Sequence, residues 1–455
     1  MEGRHGSGER DSSLRQPLFD GGGGGLEANH HYPKGGNTSF FKTFFNGVNA
    51  LSGSFLVVLC FLSFLFFYCN LLSVKICTPG VGILSIPFAL ASGGWLSLVL
   101  LFAIALAAFY AGLLIKRCME ADSTIRTFPD IGERAFGNIG RTVASVFMYT
   151  ELYLVVSGFL ILEGDNLHNL FPEVQFEAYG LKVGGRASFV IIVALIILPS
   201  VWLDNLSILS YISATGVIAS IIIVVSIFCA GAFDAVGFHH KGELLNWSGI
   251  PTAVSLYGFC YCAHPVFPTL YNSMKKRHHF SKVLLLCFLC TTISYASMAV
   301  IGYLMFGPKV DSQITLNLPI RKLSSRVAIY TTLVNPLSKY ALMLEPVSSA
   351  TENWFPGYHK KRPVRILIRT ALVATQVFVA LAVPFFGYLM SLVGAFLSVT
   401  ASITIPCLCY LKIAGMHRNL ELVLTLSSLV LSALIAIFGT YTSLVQLIQG
   451  TVVGY

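Results

Sequence analysis

The chain has 455 residues, of which 55% are hydrophobic and 11% are charged, and its formal net charge is +9. A soluble domain carries about 25% charged residues, so this composition excludes a water-soluble globular protein and indicates a chain solvated by lipid. The Lys and Arg residues lie mainly in short loops between apolar runs, which favours a topology signal over a nucleic-acid surface. We therefore predict no nucleic-acid partner.

The first 39 residues predict a disordered cytosolic tail. They contain five consecutive glycines, several serines and scattered charges, but few apolar residues. Such a segment cannot bury enough apolar surface to fold, and it lacks the pattern of a cleavable signal peptide.

The rest of the chain, residues 40–455, is predicted to be one transmembrane domain. Its apolar runs are long enough to cross about 30 Å of hydrocarbon. Runs of this length without alternation predict helices rather than a barrel, so the fold class is all-α and polytopic with about eleven spans. The predicted spans are 40–53 continued at 81–92, 95–117, 142–163, 187–203, 207–231, 250–272, 283–306, 327–347, 366–384, 386–411 and 421–447.

The distribution of basic residues predicts the orientation. With the N-terminus in the cytosol, 21 Lys and Arg residues fall on the cytosolic side and seven on the opposite side. Lys75 and Lys339 lie within apolar runs and complete the total of 30. This asymmetry is a positive-inside signal, and it places the C-terminus in the lumen or outside the cell.

Gly and Pro interrupt the first and sixth spans, at 49–53 with 81–87 and at 257–268. Backbone groups freed by such breaks are tolerated in lipid only where they line a protein cavity. The positive end of a half-helix can then hold a carboxylate, while freed carbonyls take an ammonium group or a cation. Two breaks five spans apart fit an inverted five-plus-five repeat. The alternative is that these residues only kink the helices and allow close packing.

Four segments carry a specific resemblance: FPDIGE at 128–133, ILEGDNL at 161–167, FCYCAHPVFP at 259–268 and YLMSLVGAF at 388–396. They resemble plant vacuolar amino-acid transporters of the amino acid/auxin permease family. The resemblance implies a LeuT-like fold with eleven spans, a vacuolar membrane location, and transport of neutral amino acids driven by a proton gradient.

The resemblance also implies which residues form the site. The broken first span supplies a cradle for the substrate carboxylate, and the broken sixth span supplies the facing wall. Asn49 matches an ion ligand of sodium-coupled relatives, with Thr332 as its partner, although both residues can instead be polar helix contacts. The predicted substrate-binding residues are Ser52, Gly53, Val81, Gly82, Ile83, Tyr257, Phe259, Cys260 and His264.

Ionisable residues inside the membrane require a reason. Glu151 lies in the middle of the third span, where a carboxyl group can bind the coupled proton or can pair with Lys339. His264 can also exchange a proton, although a neutral ring bonded to a freed carbonyl is favoured. Four acidic residues at span ends are expected to be solvated, namely Asp204, Glu163, Asp165 and Glu345.

Residues 54–80 form an anomalous insertion inside the first break. Relatives of the resembled family run directly from the first half of this span into the second. Of the 27 inserted residues, 18 are Phe, Leu, Ser, Cys or Tyr, the composition expected of a translated polypyrimidine tract. We interpret the segment as a retained intron or a gene-model error. The alternative, an extra span, would place every later basic loop on the luminal side, against the charge count.

No enzyme, cofactor or metal function is predicted. The sequence has no nucleophile–base pairing and no nucleotide-binding loop, and the C-x-C pair formed by Cys260 and Cys262 lacks the further ligands of a zinc site. The predicted partners are neutral amino acids, protons and the lipid bilayer, without an obligate protein partner. The alternative function is an amino-acid sensor of an internal membrane that binds substrate and signals without net transport.

Overall fold

The computed structural model describes residues 82–453, apart from residues 175, 179–180, 203–218, 220–221, 235, 275, 355–360, 384 and 415–418. The tail, the first half of span 1 and the insertion at 54–80 lie outside the described residues. The predictions that concern them therefore stay predictions.

The described part of the chain is built from long helices, and a short antiparallel hairpin, Phe176–Ala178 with Leu181–Val183, joins spans 3 and 4. The all-α membrane fold predicted from the sequence is confirmed. Gly82–Gly93 is the second half of span 1. The later spans are Ser97–Ala121, Phe128–Leu170, Gly185–Val201, Ile222–Phe233, Ile250–Cys260 with Phe267–Ser273, Phe280–Phe306, Leu323–Glu352, Arg362–Ala382, Phe386–Ala414 and Asn419–Gly450.

The helical segment Phe128–Leu170 is interrupted at Gly137, so residues 128–136 form a short helix ahead of span 3, and the predicted span 142–163 lies within the longer helix that follows. The backbone N–H of Thr127 donates to the Asp130 carboxylate at 2.8 Å, and Pro129 occupies the first turn. Both features start a helix whether or not lipid surrounds it. Gly137, with φ at 65° and ψ at −153°, then interrupts the helix before the chain enters the apolar run.

The two broken spans lie at the centre of the helix bundle. In span 6 every residue from Thr252 to Cys260 is buried. In the most apolar 18-residue stretch of span 10, 72% of the residues are buried. In the corresponding stretches of spans 9 and 11, only 22% and 28% of the residues are buried. Spans 9 and 11 therefore form the lipid-facing edge, and span 10 packs inside against span 6.

Span 10 approaches span 6 closely at Gly394. A Cβ atom at this position would lie 2.1 Å from the carbonyl oxygen of Ser255 and 2.9 Å from the backbone nitrogen of Phe259. The same stretch of span 10 is π-helical over Val393–Ser398 and Thr400–Thr404, a departure from α-helix that often accompanies functional sites. Only glycine fits this crossing.

Gly394→Ala is expected to lower the thermal unfolding midpoint of the purified protein by several degrees. The new methyl group meets backbone atoms, so the helices must separate, and overpacking of this kind costs about 1–3 kcal/mol. Gly184→Ala is the matched control, since a Cβ atom there meets no atom within 4 Å. Equal midpoints for the two variants would contradict the close crossing.

Candidate functional site

The second half of span 1 meets the first half of span 6 at Gly82. The thiol of Cys260 donates to the carbonyl oxygen of Gly82, with 3.6 Å between sulfur and oxygen. A Cβ atom at Gly82 would lie 3.0 Å from that sulfur and 3.6 Å from the ring of Phe259. The structure thus brings together three of the predicted site residues. Their predicted neighbours Ser52, Gly53 and Val81 lie outside the described residues.

The break in span 6 begins where its first helix ends at Cys260, and the chain resumes as a helix at Phe267. The hydroxyl of Tyr295, on span 7, donates to the carbonyl oxygen of Cys260 at 3.1 Å. This bond satisfies an acceptor that the helix leaves open at its end. Sequence reasoning missed Tyr295, since nothing in the pattern of span 7 distinguishes this tyrosine.

Glu151 is 2% exposed and lies where spans 3, 6 and 10 meet. The polar side chains next to its carboxylate are Ser398 of span 10 and Cys262 in the break of span 6. Neither carboxylate oxygen makes a well-formed hydrogen bond within the described part of the chain. There, too, no ion pair joins Glu151 to Lys339, the partner considered as the alternative.

Ser398 and Cys262 were also missed by the sequence reasoning. Cys262 lies in a break that the sequence had located, so its place near the site could have been inferred. Ser398 is one hydroxyl in a long apolar span, a signal that several other spans share.

Tyr257 and His264 both face span 2. The Tyr257 hydroxyl lies 3.0 Å from the hydroxyl of Ser97. Nε2 of His264 lies 2.7 Å from the carbonyl oxygen of Ala108, which can only accept, so this nitrogen carries the proton. These bonds direct both polar groups toward span 2. Their predicted part in binding substrate stays a prediction, as does that of Ile83, which is buried beside Gly82.

Thr332 is buried on span 8, and its hydroxyl donates to the carbonyl oxygen of Ala328 on the same helix at 2.9 Å. The hydroxyl oxygen keeps its lone pairs, so the ion-ligand role and the polar helix contact both stay predictions. Asn49, its predicted partner, lies outside the described residues.

The expectation that the acidic residues at span ends are solvated was wrong for Glu163, which is 1% exposed. Asp165 forms an ion pair with Arg186 of span 4 and accepts from the side-chain amide of Gln313 at 2.8 Å. Glu345 lies 3.3 Å from the buried guanidinium of Arg369. The apolar runs place these residues near the membrane edge, but only tertiary packing covers them. Asp204 lies outside the described residues.

Among the residues that the structure describes, no group of three or more His, Cys, Asp or Glu side chains is arranged to hold a metal ion. The carbonyl oxygens of Gly82 and Cys260 already accept from Cys260 and Tyr295. What the site adds chemically is the buried carboxyl group of Glu151, which can gain or lose a proton.

Comparison with solved structures gives the fold. The chain superimposes on Mhp1, a nucleobase-cation-symport-1 family transporter with bromovinylhydantoin bound, with a TM-score of 0.50 and 12% identity, over 91% of this chain and 92% of that chain. It also superimposes on MhsT in complex with L-phenylalanine, with a TM-score of 0.52 and 13% identity. That alignment covers 88% of this chain and 98% of the MhsT chain. Both are LeuT-fold transporters, and at these identities the likeness concerns the fold alone.

Sequence comparison gives the family. The chain is 54% identical over 416 residues to Amino acid transporter AVT1I of Arabidopsis thaliana, covering 91% of this chain and 96% of that protein. It is also 54% identical over 414 residues to Amino acid transporter AVT1J of the same plant, covering 90% of this chain and 92% of that protein. The family described as Transmembrane amino acid transporter protein matches residues 71–445. The chain therefore belongs to this family of membrane transporters and is a multi-pass amino-acid transporter, not an enzyme.

Proposed function

We propose that the protein is a secondary transporter that moves neutral amino acids across the vacuolar membrane and is driven by a proton gradient. The observation that carries the proposal is the position of Glu151. This buried carboxyl group lies against both the break of span 6 and the π-helical part of span 10. A change in its protonation acts directly on the two elements that border the site.

The surroundings of Gly82 support a neutral substrate. Among the described residues, the side chains nearest to the Cβ position of Gly82 are those of Phe259 and Cys260, and both are uncharged. In the proposed site, the substrate carboxylate binds at the positive N-terminal end of the second half of span 1. A charged substrate side chain would need a counter-charge beside it, whereas an apolar one is accommodated by Phe259.

The proposed orientation has a cytosolic N-terminus and a luminal C-terminus, and it rests on the 21-to-7 distribution of basic residues. The vacuolar location rests on the resemblance described above. A reporter fused after Tyr455 that proves cytosolic would contradict the orientation.

Uptake of radiolabelled neutral amino acids into proteoliposomes tests the proposal. We expect an imposed pH gradient to drive accumulation, while replacement of sodium by potassium leaves it unchanged. The full chain and a form without residues 54–80 are reconstituted in parallel, and a protonophore serves as the control. Accumulation that persists after the protonophore has dissipated the gradient would overturn proton coupling. Saturable binding without flux in either form would instead support the sensor.

A further inference from the structure

A groove between spans 2 and 7 opens at the end of both helices. Its volume is about 340 Å³. We propose that it binds an anionic phospholipid, with the headgroup at the basic end and an acyl chain along the apolar wall. The lining residues that matter to the argument are Phe109, Leu113, Lys116, Ser281, Lys282 and Leu285.

The basic end of the groove is positively charged and has hydrogen-bond donors. The ammonium of Lys282 is exposed, and the hydroxyl of Ser281 lies beside it in the first turn of span 7. Lys116 reaches the groove from span 2 and also pairs with Glu120 at 2.9 Å. The side chain of Lys116 is 17% exposed and that of Glu120 is 45% exposed. A phosphate monoester, which carries more negative charge than one carboxylate, can compete with Glu120 for this ammonium.

Further positive charge surrounds this end. Span 7 is preceded by Lys276 and Arg277, and both Lys276 and Lys282 lie close enough to act electrostatically on His279. Arg117 also lines the groove, but its guanidinium lies 3.3 Å from the carboxylate of Glu421 and is directed toward span 11. The basic groups that remain for a ligand are therefore on the span 7 side and at Lys116.

The apolar wall continues from the groove along the lipid-facing surface. On span 2, Leu106 is 69% exposed and lies one helical turn from Phe109. On span 7, Leu285 and Leu289 are four residues apart on one face and are 46% and 50% exposed. A ligand seated at Lys282 would thus extend an apolar tail along side chains that already face hydrocarbon.

This combination favours a phospholipid over a free phosphate. A soluble anion would use only the basic end, whereas a lipid matches the charges and the apolar wall together. The groove lies on the membrane side that holds most of the Lys and Arg residues. In the proposed orientation this side faces the cytosolic leaflet, which carries the anionic lipids.

The test measures lipid binding, so it does not depend on whether the chain transports amino acids. The full chain is purified with phosphatidylcholine and titrated with phosphatidylinositol 4-phosphate as the probe, and bound lipid is counted by native mass spectrometry. A surface charge contributes about 1 kcal/mol per Lys or Arg, so we expect Lys282→Gln to weaken binding about fivefold. Lys116→Gln combined with Lys282→Gln is expected to weaken it about 25-fold on the same scale.

Arg362→Gln combined with Lys412→Gln is the matched control. It removes two exposed positive charges from the same membrane side, and neither residue lines the groove. This control is expected to bind the lipid like the parent chain. If the control loses as much lipid binding as the groove variants, or if Lys282→Gln binds the lipid as tightly as the parent chain, the proposed site is wrong. Full displacement of the lipid by the soluble glycerophosphoinositol 4-phosphate at equal concentration would overturn the assignment to a lipid.

Discussion

Deleting residues 54–80 is expected to raise amino-acid uptake by on the order of 10- to 100-fold at matched abundance in the membrane. The cradle requires Ser52 and Gly53 to join Val81 and Gly82 in one short unwound turn, so that their amides converge on a single carboxylate. Charge-assisted hydrogen bonds of this kind contribute about 1.5–3 kcal/mol, and that contribution is lost if the turn is split.

The structure fixes one side of this turn. Gly82 contacts Cys260 and Phe259, and the half-helix that follows is almost entirely buried. A long loop adds closure entropy only slowly, so the insertion is tolerable thermodynamically. We expect its cost to arise because it interrupts the sequence of the predicted cradle rather than a surface loop, and because 27 mostly apolar residues cannot be part of one short unwound turn.

The experiment compares uptake by the full chain, by the 428-residue form, whose length is 455 minus 27, and by a control form. The control lacks residues 3–29, a deletion of the same length in the glycine-rich tail. Only the deletion of 54–80 is expected to raise uptake. Equal uptake by the full chain and the 428-residue form would show that the insertion is accommodated.

Glu151→Gln is expected to abolish the dependence of accumulation on the pH gradient. For one proton per amino acid, a gradient of one pH unit supports about tenfold accumulation. Gln has nearly the shape of the protonated carboxyl group but cannot release a proton. The variant should therefore equilibrate substrate at the same final ratio with and without the gradient.

Glu163→Gln is the matched control for this prediction. Glu163 is a buried carboxyl group on the same helix, 12 residues further along, and one of its oxygens also has no partner in the described part of the chain. Its Gln variant is expected to keep the full dependence on the gradient. If Glu151→Gln keeps that dependence as well, the coupling group lies elsewhere, and His264 becomes the next candidate.

The order of the spans and the position of the break in span 6 could be predicted from the sequence alone. These features are local, because a span needs only a sufficient apolar run and a break needs only Gly or Pro in the helical ladder. The four resembling segments correctly indicated the family. The short helix of residues 128–136, which Thr127 caps ahead of span 3, was not predicted because it lies outside the apolar run, and the burial of Glu163 was also missed.

Which groups meet at the site depends on how the helices pack against one another. This packing placed Ser398 and Cys262 beside Glu151, where Lys339 had been the alternative, and it turned His264 toward the carbonyl of Ala108 in span 2. It also supplied Tyr295 for the open carbonyl of Cys260. Helical periodicity shows which face of a span is apolar, but neighbours far apart in the chain are set by how the helices cross. That crossing depends on close contacts such as the one at Gly394, where a single methyl group would force two spans apart.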